Sequence, residues 1–105
     1  MVDDKNKMNY TKFWNPIFDA ILSNHFKESE IMTLLCIARF TLGFNRPYAN
    51  LSISFIANSI GHSTSAIKKS LKNLEKRQII KNHKSPGGKV NQWGINTKVS
   101  EWQYF

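Results

Sequence analysis

The chain has one cysteine, Cys36, so no internal disulfide can form. No apolar run approaches the ~20 residues that cross a bilayer as a helix. The first twelve residues, MVDDKNKMNYTK, lack the apolar stretch of a secretory signal. These absences predict a cytoplasmic protein. His25, His62 and His83 lie far apart, and Cys36 sits in an apolar segment, so no zinc-ligand spacing is present. There is no glycine-rich loop followed by Lys-Ser or Lys-Thr, the signature of a nucleotide-triphosphate site. Asp19, Glu28, Glu30 and Glu75 are not spaced as an acid–base pair. The expectation is a protein that is not an enzyme and needs no metal or cofactor. Acidic side chains are themselves scarce, seven against fifteen lysines and arginines, for a net charge of +8.

That charge is not spread evenly. Residues 62–98 carry Lys68, Lys69, Lys72, Lys76, Arg77, Lys81, Lys84, Lys89 and Lys98 against Glu75 alone. Elsewhere the two signs cancel. A concentrated positive field attracts a polyanion, and nucleic acid is the usual one. At 105 residues the chain suits one domain, burying roughly 65% of its unfolded surface.

Residues 1–12 read as an N-terminal arm, 13–98 as the folded domain and 99–105 as an aromatic tail, SEWQYF from Ser100. Asn15-Pro16 predicts a helix start, with Asn15 as cap and Ile17, Phe18, Ile21 and Leu22 on one face through residue 24. Lys27 to Leu42 repeats Ile31, Leu34, Leu35, Ala38 and Leu42 at helical spacing, with Glu28 and Glu30 in the first turn and Gly43 as the stop. Leu51 is a candidate strand start. Ser52 caps a short helix that ends at Gly61, and Ser63 caps a second, Thr64–Arg77, with Ala66 leaving its capping box incomplete. Residues 79–84 and 89–95 read as two strands about the turn Ser85-Pro86-Gly87-Gly88. A helix-turn-helix followed by a hairpin is the order of a winged helix. The predicted class is therefore mainly α with a small β-hairpin (α+β).

At about 100° per residue, Ile67, Leu71 and Leu74 share one side of the helix at 64–77. Ser65, Lys68, Lys69, Lys72 and Lys76 share the other. A major groove about 12 Å wide admits one α-helix. Lysines along the outer face reach phosphates, while Thr64 and Ser65 stand at the end where helix-turn-helix proteins touch bases. The candidate DNA contacts are Ser63, Thr64, Ser65, Lys68, Lys69, Lys72 and Lys76, with Lys84 and Lys89 beside the wing turn and Arg46 in the loop before the helix-turn-helix. For Arg39 and Arg46 the plainer expectation is bonding to loop carbonyls or pairing with Glu28 or Glu30. Trp14, Trp93 and Trp102 read as core or interface residues.

Ile31–Asn96 resembles the N-terminal domain of the phage replication protein O family. The resemblance rests on MTLLCIARFTLGFNRP (Met32–Pro47), with its pattern Arg39-Phe40-Thr41-Leu42-Gly43-Phe44-Asn45-Arg46. It continues through LSISFIANSIGHSTSAIKKSLKNLEKRQIIKN (Leu51–Asn82) to Trp93. DnaD-like primosomal proteins share the helix-turn-helix. Ser59 and His62 depart from the family, which often has apolar residues there. The resemblance implies a winged helix in a bacterial host cell that binds double-stranded DNA at a replication origin with repeated sites. It also implies a homodimer and a helicase or helicase-loader partner. Longer members carry a linker and a helicase-contacting region, so this chain reads as the binding domain or a short relative. The residues alone leave open a small transcriptional repressor of the same fold, a replisome protein-interaction module and a single-stranded DNA-binding module.

Overall fold

The computed structural model describes residues 10–84 and 91–103. The predicted wing turn, Lys89 and most of the predicted arm lie outside the described residues. The elements run α1 (Asn15–Ser23), α2 (Glu28–Thr41) with a 3-10 turn at Leu42–Phe44, β1 (Ala49–Asn50), α3 (Ile53–Ile60), α4 (Thr64–Lys76), β2 (Ile80–Lys84), β3 (Asn91–Ile95) and a 3-10 turn at Val99–Glu101. The helices pack through Ile17, Leu34, Ile37, Ile56, Ile67 and Leu74, all within 1% of fully buried.

Several boundaries differ from the sequence expectation. Trp14, not Asn15, occupies the cap position of α1. Its carbonyl accepts from the Ile17 and Phe18 N–H groups. Pro16 then sits inside the first turn, where its missing N–H costs nothing. Gly43 is not the stop of α2 either. The 3-10 turn carries the chain on to Asn45, which takes the left-handed conformation at φ 54°. The Arg46 N–H then bonds the Thr41 carbonyl at 2.9 Å and the Asn45 N–H bonds the Leu42 carbonyl at 3.1 Å, a Schellman closure. α4 ends in the same way at Gln78, φ 60°, with Ile79 N–H on Leu74 O at 3.0 Å and Gln78 N–H on Glu75 O at 2.9 Å. α3 uses Gly61, φ 73°, as expected.

The serine caps are as read. Ser52 Oγ accepts from Phe55 N–H at 3.0 Å, and Ser63 Oγ accepts from Ala66 N–H at 3.2 Å. At α2, Glu30 Oε1 reaches back to the Lys27 N–H at 3.0 Å.

The hairpin becomes a three-stranded antiparallel sheet, ordered β1-β3-β2. Strand β1 stops just before Leu51 and pairs Ala49 with Trp93 and Asn50 with Gln92. Two residues carry no alternation, so this strand left no pattern to read. Gly94 makes the pairing possible. A Cβ there would overlap the Pro47 carbonyl oxygen and meet Tyr48 Cδ1 at 2.8 Å. Gly94→Ala is expected to lower stability by about 2 kcal/mol, the scale of overpacking against backbone. A urea midpoint equal to the parent's would contradict this.

Candidate nucleic-acid interface

α4 divides into two faces. Ile67 and Leu74 are fully buried and Leu71 is 4% exposed. Ser70 also turns inward, and its hydroxyl donates to Ser29 Oγ on α2 at 3.0 Å. Asn73 Nδ2 donates to Glu30 Oε2 at 3.2 Å. These contacts set the rotation of α4 about its axis. That rotation leaves Ser63, Thr64, Ser65, Lys68, Lys69, Lys72 and Lys76 exposed. Among the described residues no carboxylate pairs with Lys68, Lys69 or Lys72; the ion pair present lies between Arg77 and Glu30.

The structure therefore brings together the α4 candidates on one surface. Lys84 is the last residue of β2, opposite Asn91 of β3, and so leads into the wing turn. Arg46 stands apart. Its Nε donates to the Phe40 carbonyl at 2.8 Å, and its guanidinium lies 5.0 Å from the Phe44 ring centroid. Arg39 also lies over Phe44, at 5.2 Å. Of the expectations for these two arginines, Arg46 meets a loop carbonyl. Neither pairs with Glu28 or Glu30.

Arg77 was counted with the basic segment, and the structure removes it from any outward face. It is 6% exposed. Its Nε donates to the Gln103 carbonyl, Nη1 to the His25 carbonyl and Nη2 to Asn24 Oδ1, each at 3.0 Å. Its guanidinium lies over Phe26, and Nη1 is 4.0 Å from Glu30. A charge tally could not find this, because the acceptors come from distant parts of the chain. Asn96 is a second residue the sequence left unremarked. It is 2% exposed. Its Nδ2 donates to Gln78 O and Glu101 Oε1, and its backbone carbonyl accepts from Trp102 Nε1 at 2.8 Å.

Trp93 and Trp102 are buried and so are core residues, whereas Trp14 is 56% exposed. Burial pushes the Cys36 thiol up from its ordinary range, opposed by a hydrogen bond with Ser59, so the thiol is held protonated and unreactive. Among the described residues no three His, Cys, Asp or Glu converge as metal ligands would, and no helix is long and apolar enough to cross a membrane.

Two helices joined at Gly61, the second with an open cationic face, and a hairpin behind them define a winged-helix protein. The sequence model for bacteriophage replication protein O matches residues 2–102. The chain belongs to that family. No curated protein matches it. Among solved structures it is similar to ZitR of Lactococcus lactis, a zinc-responsive MarR family member, with 17% identity and a TM-score of 0.57 over 92% of this chain and 58% of that one. It is also similar to the adhesin competence repressor AdcR of Streptococcus pyogenes, with 17% identity and a TM-score of 0.50 over 81% of this chain and 57% of that one. The chain thus spans less than two thirds of either neighbour's length. At these identities the likeness concerns the fold.

Proposed function

We propose that the protein binds double-stranded DNA by placing α4 in the major groove, at a replication origin with repeated sites. The observation that carries this is the face of Lys68, Lys69 and Lys72, exposed and unopposed by acid, directly across the helix from buried Ile67 and Leu74. Ser63, Thr64 and Ser65 stand at the end of α4 that meets base edges. Lys76, and Lys84 and Lys89 of the wing, meet the flanking backbone. Family membership supports the origin as target and a helicase or helicase loader as partner. With six to eight phosphates engaged, log affinity falls against log salt with a slope of roughly −5 to −7. The experiment is selection from random duplex DNA at two salt concentrations, followed by mapping of the selected sites. Failure to retain duplex, or a slope near zero, overturns the reading. Sites confined to promoters would assign the protein to regulation instead.

The same proposal includes a homodimer. Trp14, at the cap position of α1, and Phe18 and Leu22 on the helix are 56%, 49% and 73% exposed. α1 has no acidic residue in its first turn and no basic residue in its last. An apolar patch of this kind, bordered by the exposed Asp19, is one that a second copy of the chain could cover. Trp14→Ser combined with Leu22→Ser is expected to convert a dimer to a monomer in sedimentation equilibrium at micromolar protein. A parent that sediments as a monomer, or a variant that stays dimeric, refutes this interface.

A further inference from the structure

A second cationic site lies away from α4. Two clefts, of about 190 and 380 Å³, share Leu42, Arg46 and Pro47 in their walls. The smaller adds Lys81, Thr97 and Lys98, and the larger adds Lys12. Among the described residues no acidic side chain lines either cleft. Arg46 is held in place by its bond to the Phe40 carbonyl and by the Phe44 ring beneath it. Beside it, Phe44 is 54% exposed. To reach this spot Arg39 passes beside Gly43. A Cβ there would come within 3.0 Å of Arg39 Nη1 and of Thr11 Oγ1.

We propose that these joined clefts form a second nucleic-acid site, which takes a single strand and is separate from the duplex face of α4. Three features select that ligand. The described walls are cationic and carry no acidic side chain, which suits a phosphodiester chain. The guanidinium carbons of Arg39 and Arg46 lie 5.2 and 5.0 Å from the Phe44 ring centroid, and guanidinium planes and aromatic rings are platforms on which unpaired bases stack. The site is concave and small, so it admits one sugar-phosphate strand, whereas a duplex is read by an element that projects into its groove. Position separates it from the proposed duplex contacts. Lys81 and Ile95 to Lys98 lie at the foot of the hairpin, and Lys81 is three residues, about 10 Å at ~3.3 Å per residue, from the Lys84 end that leads into the wing turn. The proposal stands on observations independent of the duplex reading.

The test is fluorescence anisotropy with a labelled oligothymidylate of about fifteen nucleotides, the scale of one single-strand site, beside a selected duplex. Lys81→Gln with Lys98→Gln is expected to weaken oligothymidylate binding about twentyfold near 0.1 M salt, since each lost phosphate contact removes about 0.7 from the salt slope. Duplex affinity is expected to stay at the parent value. Arg46→Gln is expected to weaken the oligothymidylate further, and Arg46→Lys to restore charge but not the stacked geometry, giving intermediate binding. Circular dichroism shows that each variant is folded. The reverse pattern, duplex lost and oligothymidylate kept, is expected for Lys68, Lys69 and Lys72 changed to alanine. The proposal is overturned if the Lys81/Lys98 variant keeps its oligothymidylate affinity, or if the α4 variant loses both ligands together. It is equally overturned if a polyglutamate peptide of matched charge displaces the oligonucleotide as well as unlabelled oligothymidylate does, because the site would then be a peptide site or unselective.

Discussion

Changing Lys68, Lys69 and Lys72 together to alanine is expected to lower affinity for duplex DNA about a hundredfold near 0.15 M salt. The magnitude comes from counterion release. Each phosphate contact on B-DNA contributes about 0.9 to the slope of log affinity against log salt, so three contacts contribute about 2.7. At that ionic strength the loss amounts to roughly two log units, and the difference shrinks as salt rises. The fold is expected to survive. All three side chains are exposed and lack an acid partner among the described residues. Alanine is also the stronger helix former. A variant with the parent's affinity and slope would show that α4 does not face the DNA. A weaker variant with an unchanged slope would show that the lysines act through something other than phosphates. Changes at Thr64 or Ser65 are expected to alter the preferred site more than the overall affinity, because the proposed docking sets their short hydroxyl side chains against base edges.

The second large effect is on stability. Arg77→Ala is expected to cost about 3–4 kcal/mol, which corresponds to a fall in Tm of roughly 10–20 °C for a domain of this size. The change deletes the donors to Gln103, His25 and Asn24. It also leaves Glu30, 6% exposed, without its cation. A buried carboxylate without its cation is the costly part, whereas the pair as such adds little net stability. Arg77→Lys is expected to rescue poorly, because one ammonium cannot reproduce a fork of donors to three separate acceptors. Glu30→Gln placed on Arg77→Ala is expected to recover part of the loss, since it neutralises the stranded charge. Urea denaturation of the parent, Arg77→Ala, Glu30→Gln and the double variant, read as a double-mutant cycle, checks this. A loss below about 1 kcal/mol for Arg77→Ala would show that the network is not structural.

Much of the helix-turn-helix was legible because its signals are local. Ser52 and Ser63 announce their helices through bonds three residues ahead, and Gly61 needs only its own missing side chain to turn left-handed. The two-sided pattern of α4 was legible for the same reason. What escaped depends on distant partners. Asn45 and Gln78 take the left-handed conformation although neither residue type demands it as glycine does. β1 exists because Gly94, some 45 residues later, leaves room for Pro47 and Tyr48. Arg77 looked like one more surface cation until Asn24, His25 and Gln103 were seen around it. The motif from Arg39 to Arg46 was readable as a family resemblance and not as chemistry. Only the folded chain shows that its first arginine passes beside the glycine and that both arginines lie over the phenylalanine ring.

The anchoring of Gln103 by Arg77 has a mechanical consequence. Arg77 is the residue immediately after α4, and Trp102 is 6% exposed. Moving the backbone at Gln103 would therefore pull directly on the residue that closes the lysine-bearing helix.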